Sequence, residues 1–521
     1  MNKPSTPYVL ALLAGLVAAG LSYFAPFFPY GEDSASYLDQ ARTLMARGVF
    51  EKTPYGLWAA DVDYVTDKTF PPGYPLLIVL FSLLSQQPVE VVAPLLSLAA
   101  LVAIPVAVVF AFQRFIGAVP ALCIAVLVVF TPAAVRHGYI AFSDTLSLLW
   151  VIVSVKLALT ADNKAKVWFA LGLLTGFSYL LRNANLGLLL SIGGYLAWCF
   201  WGQPEQRKAI LRNGLIWGAG NAVIMAPWLI RNFVMFGKFQ PYWMPASKVG
   251  FIDNCKDYLK AQLDTLLSFS DIDALFADHL VGVLAVLLVL AVFAQQAITT
   301  WRQWQKTDQQ LFVLAAVYAV LGAAIVIAAR TKYEWGEFIH ARYALPYACF
   351  VLVALYLVIK NSRLSAPNRT RLLLFMLSIL SLGRLLQLPK LYEYNSLHQT
   401  VLSTAKQIKD HPDVVCSDLK GRFAVSNYGF VYRVLCGAPV RHGFPLFKNN
   451  RFINESLPAW LAQDTTRGVV VSLFPYVDDD DNALPLASAQ LSKLAELGWQ
   501  VELNQKDHVI LSHPAKLAVQ E

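Results

Sequence analysis

Glu32 and Asp33 stand at the head of the run GEDSASYLDQARTLMARG, Gly31 to Gly48, directly behind an apolar stretch. Two adjacent carboxylates at a water boundary offer a general base for an incoming hydroxyl; the same residues also suit a solvated acidic loop. After them Tyr37, Ala41, Leu44 and Met45 recur at helical spacing, which predicts a short amphipathic helix lying on a membrane surface. Further ionisable residues fall at the ends of apolar stretches. Asp144 sits in YIAFSDTLSLLW, just after Arg136 and His137; Arg182 in YLLRNANLG; Arg231 in APWLIRNFVMFG. The loop TKYEWGEFIHARYALP brings Glu334, Glu337, His340, Arg342 and Tyr343, and Lys68 precedes FPPGYP. For each residue alone, a snorkelling arginine or a salt bridge within a helix bundle is a sufficient explanation. As a set they suit an enzyme that handles a lipid phosphate: cations hold the phosphate and stabilise the leaving group, and a carboxylate accepts the acceptor's proton.

The elements that must position these residues are membrane helices. The chain has 521 residues, 57% of them hydrophobic and 15% charged, with a mean hydropathy of +0.50, which is too apolar for a water-soluble protein of this length and predicts an α-helical polytopic membrane protein. A formal charge of +8 would suggest nucleic acid in a soluble chain. Here the basic residues cluster in short loops between apolar spans, so they mark topology and no nucleic-acid partner is expected.

Hydropathy predicts a first, uncleaved span near residues 8 to 28, since no small-residue cleavage site follows it. Later spans fall near 91 to 113, 117 to 134, 142 to 160, 166 to 182, 184 to 201, 213 to 235, 279 to 297, 310 to 329, 343 to 360 and 371 to 388, about eleven in all. PPGYPLLIVLFSLLSQQ is too short to cross and is predicted to be half-buried or surface-lying. With the N-terminus in the cytoplasm, the inner loops collect Arg114, Lys164, Lys166, Arg207, Lys208, Arg212, Arg302, Lys306, Lys360, Arg363, Arg369 and Arg371. The first loop, the loop from Gly237 to His279 and the tail then lie outside, on the periplasmic face of a multi-pass cell inner membrane protein.

Two domains are expected: 1–390, a transmembrane part whose first outer loop, 29–90, carries the catalytic motif, and 391–521, a small extracytoplasmic domain. In that tail, strand-like runs at Val414 to Cys416, Gly468 to Leu473, Trp499 to Leu503 and His508 to Leu511 alternate with helix-like segments at Leu397 to Asp410 and Leu486 to Leu497, which predicts an α/β domain. Asp478 to Asp481 reads as a cation site or a solvated loop, without the ligand spacing of a calcium loop. Cys416 and Cys436 would be free to form a disulfide if the tail is extracytoplasmic.

Asp33, Tyr37, Arg42 and Gly48, FPPGYPLLIVLFSLL, PWLIRN and RYALP together resemble, in order and topology, the GT-C glycosyltransferases that use polyprenyl-phosphate sugars. The resemblance is in particular to the family of protein O-mannosyltransferases and bacterial aminoarabinose lipid A transferases. The resemblance spans about residues 1 to 390. It implies that Asp33 is the catalytic residue, that Tyr343 and Arg231 bind the donor phosphate, and that Asp144 positions the acceptor or a metal; charge and side add Arg182, Arg342 and Lys68 to the phosphate ligands and Glu32 to the positioning residues. The pattern departs from that family in two places: the glutamate precedes the aspartate, as Glu32, and Phe70 stands where a basic residue is common, with Lys68 two positions earlier.

The implied reaction moves a sugar from a polyprenyl-phosphate-linked donor lipid to a hydroxyl of a lipid, glycan or protein acceptor at the outer face of the cell membrane. No cofactor is certain, and a divalent cation is possible. A second reading of the same charges is a transporter or flippase of lipid-linked glycans, which would bind phosphate without chemistry. Transporters commonly show repeated halves and midplane helix breaks, and no such repeat is visible here. A third reading, a tail anchored by an inert bundle, leaves the outer-face charges unexplained.

Overall fold

The computed structural model describes residues 5–54, 62–162, 164–242, 244, 246–268, 291–335 and 339–393, and in the tail 401–402, 405–406, 408–410, 416, 423–426, 429–442, 469–473, 492, 495–496, 498–505 and 508–513. In chain order the helices are α1 (Thr6–Phe24), α2 (Glu32–Arg47), α3 (Gly73–Ser85), α4 (Val89–Ile116), α5 (Ala118–Val129), α6 (Pro132–Gly138), α7 (Asp144–Thr160), α8 (Ala165–Leu181), α9 (Leu186–Gly202), α10 (Arg207–Phe236), α11 (Phe251–Leu267), α12 (Lys306–Lys332), α13 (Ala341–Lys360), α14 (Ala366–Gln387) and α15 (Gly429–Leu435). The strands are β1 (Glu51–Lys52), β2 (Val65–Thr66), β3 (Phe423–Ser426), β4 (Arg441–His442), β5 (Val469–Leu473), β6 (Gln500–Gln505) and β7 (His508–His513).

The chain folds as two compact units: Met1–Ala25, Lys68–Tyr74 and Pro94–Glu393 form one, and Pro26–Asp67, Pro75–Ala93 and Tyr394–Glu521 the other. Among the described residues seven helical stretches are long and apolar enough to cross a membrane, or eight if α5 and α6, bent by 63° at Phe130 and Thr131, count as one broken span. The predicted fourth and fifth spans are α7 and α8, of 17 residues each, about 25 Å long at 1.5 Å per residue. The predicted span near 279 to 297 falls largely outside the described residues. Helix α3 has 13 residues and reaches about 20 Å, too short for a crossing, in agreement with its predicted surface-lying or half-buried character.

In the first unit the helices pack through small residues and aromatic contacts. A Cβ on Gly172 of α8 would lie 2.8 Å from Gly220 Cα of α10, so these two helices touch backbone to backbone, the arrangement small residues permit in membranes. On the other side, Tyr318 of α12 meets Tyr347 and Phe350 of α13 with ring centroids 5.1 and 4.8 Å apart, and Phe350 meets Phe112 of α4 at 6.1 Å. Buried Arg384 of α14 donates to the carbonyls of Leu127 (2.7 Å) and Leu266 (3.0 Å).

In the second unit α2 is bounded by its own chemistry. Gly31 N–H donates to Ser34 Oγ (3.0 Å) at the start, Glu32 and Asp33 occupy the first turn, where the helix dipole favours negative charge, and Gly48 ends it at φ 71°, a left-handed conformation that glycine adopts without strain. Strands β1 and β2 pair antiparallel just beyond. In the tail the strand order is β4-β3-β5-β7-β6. β3 runs parallel to β4 and β5, α15 connecting β3 to β4, while β7 is antiparallel to β5 and β6. The predicted α/β character of the tail is therefore present, with three of its predicted strands matched by β5, β6 and β7. The predicted strand at Val414 lies outside the described residues apart from Cys416, as does the whole of Asp478 to Asp481. Cys416 and Cys436 are joined by a disulfide, their Cα atoms 5.4 Å apart.

A leucine at Gly172 must push α8 away from α10, so Gly172→Leu is expected to destabilise the bundle by about 1–3 kcal/mol. Thermal unfolding in detergent checks this; an unchanged midpoint would mean that the two helices do not meet there.

Candidate functional site

Asp144, Arg182 and Arg342 come together in the first unit, from three separate helix ends. Asp144 is the first residue of α7, Arg182 caps the end of α8 in an extended conformation (φ −156°, ψ 124°), and Arg342 lies in the first turn of α13. The turn after Arg182 is held by Asn185, whose Nδ2 donates to Ser147 Oγ of α7 (2.7 Å) and to Ser178 O (2.9 Å) and Oγ (2.8 Å) of α8. Arg182 Nη1 donates to Asp144 Oδ1, and Arg342 Nε donates to Oδ2 at 3.3 Å.

The carboxylate is only 2% exposed, whereas Arg182 and Arg342 keep 14% and 12% of their side-chain surface accessible. Two guanidinium groups thus share one buried carboxylate, and the arginine side chains are more exposed than the aspartate they hold. The Arg342 guanidinium lies over Phe142, 4.0 Å from the ring centroid, and the Tyr343 ring sits beneath both arginines at 5.8 and 5.6 Å. Trp335 and His340 flank Tyr343 at 4.9 and 5.1 Å between centroids, and His137 lies 5.9 Å from Phe142. Guanidinium groups with planar faces, backed by aromatic rings, suit phosphate recognition. Because each Asp144 oxygen already accepts from an arginine, its first effect is to orient them.

Lys68 belongs to the same unit. Its neighbour Thr69 accepts a hydrogen bond at its carbonyl from Asn183 Nδ2 (3.3 Å), and a Cβ on Gly73 would lie 2.6 Å from the Leu180 carbonyl carbon and 2.8 Å from Leu181 N. Only a glycine lets the strap 68–74 lie this close to the end of α8, so the FPPG sequence delivers half-buried Lys68 near the turn that bears Arg182. Arg231, expected from PWLIRN as a further phosphate ligand, stacks over Trp228 and Phe236 of α10 at 4.4 and 5.6 Å and donates to Asn232 Oδ1 (2.7 Å); none of these partners belongs to the Asp144 group. Glu337 lies outside the described residues.

In the second unit the predicted helix after Gly31 is α2. It buries Tyr37 and Ala41 as its spacing predicted, but also Ser36, Asp39 and Gln40, while Met45 is exposed. The buried polar residues are satisfied by a network. Arg433 of α15 donates through Nε (3.1 Å) and Nη2 (2.6 Å) to Asp39 Oδ2, through Nη1 to Glu32 Oε2 (3.3 Å) and through Nη2 to Ser36 Oγ (3.4 Å). Thr53 adds two donors to Asp39 Oδ2, its N–H at 3.0 Å and its hydroxyl at 2.8 Å. Buried Lys52 lies 3.4 Å from Asp67 Oδ1, and Gln40 donates to Asp67 Oδ2. Asp33 is half-buried beside this network and acts electrostatically on Lys52. Asp39, Lys52, Asp67 and Arg433 were not singled out from the sequence; Asp39 falls on the face of α2 opposite Tyr37 and Ala41, where helical spacing alone predicts a solvated side chain. Among the described residues, no three His, Cys, Asp or Glu side chains gather as a set that could hold a metal ion.

Burial pushes the Lys52 ammonium below its ordinary 10.5, and Asp67 only partly offsets this. The unfolded chain therefore holds that proton more tightly. The resulting stability deficit is present below the folded value and disappears as pH rises from there to 10.5. Relative to Lys52→Met/Asp67→Asn, the parent protein is expected to gain stability across that window; denaturation at a series of alkaline pH values checks this, and a flat difference would contradict it.

The architecture defines a multi-pass α-helical membrane protein with an α/β tail. No family model matches the chain, and no curated protein matches it. Among solved structures, ArnT from Cupriavidus metallidurans bound to undecaprenyl phosphate is similar over 100% of both chains, with a TM-score of 0.57 and 12% identity. The archaeal oligosaccharyltransferase AglB from Archaeoglobus fulgidus, in complex with an inhibitory peptide and a dolichol-phosphate, is similar over 90% of this chain and 70% of its own, with a TM-score of 0.51 and 12% identity. The Archaeoglobus fulgidus oligosaccharyltransferase tethered to an acceptor peptide matches over 91% of this chain and 69% of its own, with a TM-score of 0.54 and 12% identity. This chain shares the fold of these structures.

Proposed function

We propose that this chain is a membrane glycosyltransferase that moves a sugar from a polyprenyl-phosphate-linked donor to a hydroxyl of a lipid, glycan or protein acceptor at the outer face of the cell membrane. The observation that carries this reading is the buried Asp144 carboxylate shared by two partly open arginines, in a fold shared with proteins whose structures hold undecaprenyl phosphate and dolichol-phosphate. Arg182, Arg342, Tyr343 and Lys68 are the proposed phosphate ligands, with Asp144 as the residue that orients the arginines. The role of Arg231 rests on the sequence resemblance alone. Asp33 is the proposed base and Glu32, paired with Arg433, its neighbour in charge.

In this reaction the acceptor oxygen attacks the anomeric carbon while Asp33 takes its proton, and the bond from that carbon to the phosphate oxygen breaks. The electron pair leaves on a lipid phosphate monoester, which is already anionic and needs cations rather than a general acid. Direct displacement inverts the anomeric centre. The outer-face orientation draws support from the Cys416–Cys436 disulfide, since such bonds persist in oxidising compartments.

Asp33→Asn is expected to lower transfer by roughly 10²–10⁴-fold, the usual contribution of a general base, at normal protein levels, with the donor lipid accumulating in cells. Undiminished modification of the acceptor would remove Asp33 from this role. For orientation, after mild reduction of intact spheroplasts a membrane-impermeant maleimide is expected to label Cys416 and Cys436; labelling only after lysis would place the tail inside.

A further inference from the structure

The tail holds the helix that carries Asp33. Helix α2 presents Glu32, Ser36 and Asp39 at intervals of four and three residues, one face of an α-helix, and all three accept from the single guanidinium of Arg433. The grip is reciprocal. Arg42 of α2 donates through Nη1 to the Arg433 carbonyl (2.6 Å) and through Nη2 to the Val434 carbonyl (3.0 Å), which lie in the last turn of α15, where cations are favoured by the helix dipole. Glu90 accepts from Arg42 Nε (2.8 Å) and so fixes that arginine in turn. A ring contact between Phe28 and Phe430, 6.2 Å between centroids, lies beside these pairs. The covalent bond from Cys436, the residue after α15, to Cys416 ties the helix to the rest of the tail.

Arg433 is fully buried, and burying a guanidinium is costly unless its geometry is nearly complete. A lone stabilising contact could be met by apolar side chains at less cost, whereas a three-acceptor fork sets the rotation and axial position of α2. We propose that Arg433 is a positioning residue: through Glu32, Ser36 and Asp39 it fixes the first turn of α2, and so the direction in which Asp33 faces the acceptor hydroxyl. This gives the tail a part in turnover and rests on the glycosyltransferase reading above.

Two measurements on the full-length protein in lipid nanodiscs test it. Amide hydrogen exchange over residues 32–41 needs no substrate; Arg433→Gln is expected to raise it at least tenfold while α12 and α13 exchange as before. Unchanged exchange in α2 would overturn the clamp. For turnover, the probe is whichever of a panel of undecaprenyl-phosphate-linked hexoses and pentoses the parent protein consumes fastest. Arg433→Gln is expected to lower kcat by about 100-fold, as a misplacement near 1 Å does, with the donor KM unchanged, and Arg433→Lys to recover part of the loss. A raised KM with unchanged kcat, or parental turnover in Arg433→Gln, would overturn the positioning role. Asp39→Asn/Arg433→Gln, which removes both buried charges at nearly constant shape, keeps the test open should the single variant misfold and is expected to show the same kcat loss; parental turnover there would also overturn it. If the parent consumes no donor, the glycosyltransferase reading falls and the positioning role with it, while the exchange data still report whether α2 is clamped.

Discussion

The structure of the candidate phosphate site depends on one carboxylate that cannot afford to be alone. Asp144, the first residue of α7, has almost no solvent contact, and Arg182 and Arg342 each take one of its oxygens. Removing either partner from such a buried group costs about 3–5 kcal/mol, so the ends of α7, α8 and α13 are held in one arrangement. The consequence is electrostatic as well as geometric. The aspartate's charge is met on both oxygens, and the arginine side chains keep more solvent exposure than the aspartate does.

Around that group the chain spends its unusual residues on close approach. Asn185 ties the turn after Arg182 to two helices at once, and Gly73 lets the strap 68–74 lie on the Leu180 carbonyl at the end of α8 so that Lys68 arrives near the same turn. Tyr343 offers its face to both guanidinium groups. In the second unit the same economy operates through Arg433, which satisfies three acceptors on one face of α2, while Arg42 returns two hydrogen bonds to the carbonyls of α15. Each unit thus has its own charged anchor, and each anchor sits where a helix begins or ends.

Much of this was legible in sequence because membranes make charge expensive. Asp144, Arg182, Arg342 and Tyr343 stood out as polar residues at span ends, and three of the four are joined in one cluster over the fourth. The helix after Gly31 was visible from its apolar spacing. What periodicity could not show was pairing at long range: Arg433 is nearly 400 positions from Asp39 (|i−j| = 394), in a tail with no recognisable motif, and Lys52 and Asp67 look like ordinary loop charges until β1 and β2 bring them together. Arg231 entered through the PWLIRN resemblance, and its guanidinium lies over the rings of Trp228 and Phe236 in its own helix. Hydropathy also counts α7 and α8 as full spans, although each is only 17 residues long.

The central claim is that a cation cluster in the membrane unit holds the phosphate of a lipid-linked sugar while the sugar leaves. Release of undecaprenyl phosphate from radiolabelled undecaprenyl-phosphate sugars, followed with purified protein and extracted acceptor membranes, tests it most directly. The account predicts release that depends on the parent protein and is lost when Arg182 and Asp144 are replaced together by Gln and Asn. Release at the parental rate by that double variant, or donor moved across vesicles intact, would contradict it.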